Sequence, residues 1–60
     1  MSSKEMMIHS GGGLKYIEVN YDWDIDHDLI TILKVWDKVN KKEINLTENQ
    51  KLEVISKIKD

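Results

Sequence analysis

The chain has no cysteine, no arginine, no proline and no phenylalanine, and its three glycines stand side by side at Gly11-Gly12-Gly13. Without cysteine there is no disulfide framework and no thiolate zinc site, so only His9 and His27 offer soft metal ligands. This lack also fits a cytoplasmic setting, and a bacterial host cell is the expected one. Without arginine the chain lacks the side chain best suited to bidentate phosphate and guanine contacts, which disfavours a dedicated nucleic-acid binder. No run approaches the roughly 20 apolar residues of a membrane span, and the start MSSKEMMIHSGGG has too short an apolar core for a signal peptide. Without phenylalanine, Trp23 and Trp36 are expected to supply most of the large apolar volume of the core.

At 60 residues the chain makes one domain at most, and a domain of this size is marginally stable unless stapled. Since disulfides are excluded, a homodimer is the expected staple. The net charge of −2 hides a lopsided distribution. Between Tyr16 and Leu33 the ionised groups are Glu18, Asp22, Asp24, Asp26 and Asp28, with no lysine among them, whereas seven lysines outweigh five acids from Lys34 onward.

The first 13 residues, ending in Ser10 and the triple glycine, read as a flexible tail, with a single domain over 14–60. The glycines lack the lysine and the flanking strand and helix of a phosphate-binding loop. From Leu14 the pattern takes period two: Ile17, Val19, Tyr21, Trp23 and Ile25 on one face, Glu18, Asn20, Asp22 and Asp24 on the other, as in a half-buried strand. Leu29 to Val39, LITILKVWDKV, is apolar on both parities. A strand covered on both faces fits it; so does an amphipathic helix with Leu29, Ile32, Leu33, Trp36 and Val39 at helical spacing behind an Asp28 cap. Its β-branched content and the short acidic turn before it favour the strand. NKKE at Asn40 to Glu43 reads as a turn, and Ile44-Asn45-Leu46 as a third strand or an extended lead-in. Thr47 with Gln50 has the form of a capping box, so a helix should start at Glu48. Its apolar stripe is Leu52, Ile55 and Ile58, helped by Val54; Glu53 and Lys57 form an i,i+4 pair, and Lys57 and Lys59 suit the negative end of the dipole. The expected fold class is therefore α+β: an antiparallel β-meander of two to three strands with one carboxy-terminal helix, completed by homodimerisation.

Asp22, Asp24, Asp26 and Asp28 fall on every second residue, and strand residues two apart lie about 6.6 Å from one another, near the spacing of phosphates along one DNA strand. Such a comb can imitate a short piece of backbone and occupy a basic groove. As a calcium loop it fails, because the positions that need glycine and a bidentate glutamate hold His27 and Leu33. A weak divalent site at the turn is a further reading, and a plain solvated strand face that protects an edge is the simplest. His27 between Asp26 and Asp28 has the outline of a catalytic dyad, yet neighbours along a strand point to opposite faces. No nucleophile with a convergent base is evident, so neither catalysis nor a cofactor is expected. Trp23, Trp36 and Tyr21 are the aromatic candidates for partner contact beside the aspartates, tryptophan being enriched at interface hot spots.

The strand ending in YDWD, the following strand, and the INLTENQ run that opens a terminal amphipathic helix resemble small uncharacterised proteins common in phages and prophages, over Leu14 to Lys59. Abundant lysine, isoleucine and asparagine beside absent arginine and proline fit an AT-rich coding sequence. The resemblance implies an accessory protein of a phage or mobile element. Its expected role is to inhibit a host nucleic-acid-handling or defence protein, such as a restriction or CRISPR nuclease. The competing expectation is a structural or assembly module whose only activity is association.

Overall fold

The computed structural model describes residues 2–60. Four strands, β1 (Ser2–Ser10), β2 (Gly13–Asp24), β3 (Leu29–Asp37) and β4 (Lys42–Ile44), form one antiparallel sheet in the order β1-β2-β3-β4, followed by helix α1 (Glu48–Lys59). This is the expected α+β meander with its terminal helix, with one strand more than the sequence announced.

The added strand is β1, where a mobile tail was expected. It pairs with β2 along its whole length, from Ser2 opposite Tyr21 to Ser10 opposite Gly13. Gly11 and Gly12 take φ of +55° and +90°, the pair of positive values that a two-residue turn of the I′ type requires at its centre. Glycine reaches that region without steric cost. The glycine run is thus a hairpin turn, and it carries Met6 and Ile8 back over β2, where both are buried.

The core is aliphatic: Met6, Ile8, Ile17, Val19, Ile30, Val35, Val54 and Ile58, flanked by half-buried Tyr21, Ile32, Ile44, Leu46 and Ile55. Neither tryptophan belongs to it. Trp36 is half-buried on the other side of the sheet, opposite Glu18, and Trp23 is 36% exposed near the end of β2. The expectation that the two rings fill the core fails because β1, unforeseen, brings in its own apolar side chains.

The two-parity pattern of β3 has a local cause. Pairing with β2 shifts between Asn20 and Tyr21, so that Val35 lies opposite Val19 and Ile32 opposite Tyr21, with Leu33 as the extra residue. This bulge moves the inward phase by one, placing Ile30, Ile32 and Val35 on one face. A single bulge, rather than burial of both faces, accounts for apolar residues at odd and even positions.

Helix α1 begins as expected. The Thr47 hydroxyl accepts from the Gln50 amide at 3.2 Å, and the Gln50 side chain accepts from the Thr47 amide at 3.0 Å. Val54 and Ile58, one turn apart, are buried and Ile55 half-buried, whereas Leu52 lies on the far side and is exposed. The polar flank of α1 runs along the outer edge of β1. Glu53 accepts from the His9 amide at 3.3 Å, Gln50 donates to the His9 carbonyl at 3.4 Å, and Lys57 donates to the Met7 carbonyl at 2.8 Å. Lys4 in turn donates to the Lys57 carbonyl at 3.0 Å. Side chains of α1 thus satisfy main-chain groups of Met7 and His9 that an edge strand leaves open.

Candidate partner-binding site

β1 stops opposite Tyr21 and β4 stops opposite Val35. Among the described residues β2 and β3 continue alone beyond those points, as a two-stranded ribbon closed by the turn Ile25 to Asp28, where Asp28 has a left-handed φ of +51° and its amide donates to the Ile25 carbonyl at 3.3 Å. Aspartate tolerates this conformation better than most residues. All four aspartates of the comb lie on this projection and are exposed, together with Ile25, 79% exposed.

The comb is not one row. Asp22 and Asp24 lie on the strand face away from α1, in register with Thr31 and Leu29. Asp24 also organises the turn, accepting from the His27 amide at 3.4 Å and meeting the His27 ring Nδ1 at 2.8 Å. Asp28 is drawn to the helix, 3.2 Å from Lys59 Nζ. Asp22 and Asp26 have no basic group within ion-pair distance among the described residues. His27 therefore pairs with Asp24, three residues back, and with neither of its neighbours. Among the described residues no three His, Asp or Glu side chains converge closely enough to hold a metal ion.

Of the aromatic candidates, Trp23 sits on the ribbon opposite Ile30, while Tyr21 is half-buried against the core and Trp36 lies further down β3. The projection thus gathers Asp22, Trp23, Asp24, Asp26 and Asp28, and leaves out Trp36. Comparison with protein-family models, with characterised proteins and with solved structures found no match to this chain. No helix among the described residues is long and apolar enough to cross a membrane.

On the face away from α1, Glu5 binds Lys38 and accepts from the Tyr16 hydroxyl at 2.7 Å, and the Lys38 ammonium lies 5.9 Å from the centre of the Tyr16 ring. The Lys38 and Tyr16 hydrogen bonds hold the Glu5 carboxyl below its ordinary value; the same Glu5 bonds raise Lys38 and Tyr16 above theirs.

Asp37 was not singled out in the sequence, yet it is fully buried. Its carboxylate accepts from the amides of Val39 at 2.9 Å and Asn40 at 3.0 Å and from the Asn40 side chain at 2.9 Å, with Lys15 Nζ at 3.6 Å. The Asn40 amide leads in holding its carboxyl below the ordinary value, against the opposing effect of burial. The sequence signal was available in DKVN, an aspartate able to bond amides two and three residues on. This carboxylate is the organiser of the β3–β4 turn, in which Lys41 takes φ +57°.

Proposed function

We propose that the protein is a non-enzymatic binding module. Its acidic hairpin tip docks into the basic site of a host nucleic-acid-handling protein and occludes that site, as an inhibitor from a phage or mobile element would. The observation that supports this reading best is the ribbon that outruns both neighbouring strands, carrying exposed carboxylates at Asp22, Asp24 and Asp26 around the exposed apolar side chain of Ile25. Asp22 and Asp24 keep the approximate spacing of backbone phosphates. Ile25 and Trp23 offer apolar anchors, so contact need not rest on charge alone. Asp28, held by Lys59, shapes the tip more than it faces outward.

The test is the triple substitution Asp22→Asn, Asp24→Asn and Asp26→Asn, used as bait beside the wild type in host lysate after matching circular dichroism. The reading expects the wild type to retain a nucleic-acid-binding protein, to compete with its nucleic acid, and to release it as salt rises, because exposed charge contacts are screened. The triple variant should lose it. Equal capture by both baits would remove the carboxylates from the mechanism.

A further inference from the structure

The two edges of the sheet are treated differently. Side chains of α1 bind the β1 edge at Met7 and His9, whereas β4 pairs only with Val35 to Asp37 and leaves Leu29 to Lys34 without a paired strand on the outer side of β3. Leu29-Ile30-Thr31-Ile32-Leu33 contains no charge, proline or glycine, and the usual edge protections, the Leu33 bulge and Lys34, stand only at its far end. Leu29 is 60% and Leu33 51% exposed beside it.

The sequence of this edge is a palindrome. L-I-T-I-L reads the same in both directions about Thr31, and it is bracketed by Asp28 on one side and Lys34 on the other. We infer that β3 pairs antiparallel with β3 of a second copy of this chain, on a two-fold axis at Thr31, joining two meanders into one eight-stranded sheet. An isologous contact requires a self-complementary patch, and this register supplies one at every position. Leu29 meets Leu33 of the partner subunit, Ile30 meets Ile32 of the partner subunit, and the two threonines face each other. Asp28, which binds Lys59 of its own chain, then stands opposite Lys34 of the partner subunit at both ends. The exposed leucines become mutual partners, and both helices fall on the same face of the joined sheet. A groove of about 290 Å³ beside this edge, lined by Leu33, Ile44 and Leu46 together with Lys34, Lys51 and Glu43, gives the partner's turn room. The pairing is independent of what the hairpin tip binds, since Asp22, Asp24 and Asp26 lie off the axis.

Three measurements on the whole chain test the pairing. Sedimentation equilibrium across about 10–500 µM should show the mass rising from 7.0 kDa toward twice that value. Leu29→Lys with Leu33→Lys, at two exposed sites, sets like charges against each other twice across the axis and should weaken self-association more than tenfold. Leu29→Lys with Leu33→Glu sets opposite charges there and should keep it; both should match the wild type by circular dichroism. Thr31→Cys gives this cysteine-free chain one thiol, and residues directly opposite in an antiparallel pair lie at a Cα separation that a disulfide spans. Mild oxidation should convert it to a covalent dimer, while Met7→Cys, at the β1 position whose carbonyl Lys57 binds, should stay monomeric. A wild type at 7.0 kDa throughout, a lysine pair that still associates, a Lys/Glu pair that does not, or cross-linking equal at both thiols would overturn the inference.

Discussion

Ile8 tests the least expected element of the fold. It lies in β1 with no exposed surface, in the core cluster with Ile17, Val19 and Val54. Trimming a buried isoleucine to valine costs about 0.5–1.5 kcal/mol, and to alanine about 2–5 kcal/mol, through lost burial and the cavity left behind. A domain of this length has a total stability of roughly 3–9 kcal/mol at about 0.05–0.15 kcal/mol per residue. Ile8→Ala should therefore remove a large share of it and leave the chain partly unfolded at room temperature. Ile8→Val is the quantitative probe: at about 4–8 °C per kcal/mol its melting midpoint should fall by about 2–12 °C. Met7, 45% exposed on the opposite face, is the internal control, and Met7→Ala should stay within about 0.5 kcal/mol. Thermal and urea unfolding followed by circular dichroism, at one fixed protein concentration because self-association would shift the midpoint, provide the readings. Were residues 1–13 a mobile tail, Ile8→Val and Ile8→Ala would both melt with the wild type, and that result would refute β1 as a core strand.

Thr47→Ala removes the acceptor for the Gln50 amide and should cost about 0.5–2 kcal/mol, read as a lower urea midpoint with loss of helical signal; an unchanged midpoint would mean that α1 does not depend on its capping box. Stability should also depend on pH at both ends. The carboxyls of Glu5 and Asp37 are depressed in the folded state, so their contributions are present above the ordinary values of 4.5 and 3.8 and are lost as pH falls through the lower folded ones. Lys38 and Tyr16 are raised, so theirs are present below 10.5 and 10.0 and are lost as pH rises through the higher folded values. Melting midpoints across this range, with Glu5→Gln flattening both limbs, provide the check; limbs as steep in the variant as in the wild type would assign the titration elsewhere.

Much of the fold was legible where local chemistry acts alone. The capping box marked the start of α1 because its two hydrogen bonds join residues three apart, and the alternation of β2 identified a half-buried strand because period two survives any partner. The rest depended on pairing. β1 offers only Met6 and Ile8 to the core, too short an alternation to stand out, and its glycine turn has the composition of a linker until both positive φ values are seen. The bulge at Leu33 hid the phase of β3, since a shift of one residue looks in sequence like burial of both faces. The tryptophans were assigned by volume, whereas their places follow from register. For the candidate site, the run of aspartates was legible but its shape was not: period two gives a straight row only while the strand lasts, and the turn at Ile25 to Asp28 sends the last carboxylate toward Lys59.

The closure of β1 by α1 sets an order of events during synthesis. Lys4 and Lys57, which bind across the closed edge, are separated by 53 positions. At about 5–20 residues per second, the first strand is synthesised roughly 3–10 s before the helix that binds its edge. Once β2 is made, the β1–β2 hairpin must wait for the rest of that interval with its edge groups unbound. Small size does not spare this chain a vulnerable nascent period. A chaperone would find its recognition window there, and a mutation that slowed the helix would act first by lengthening it.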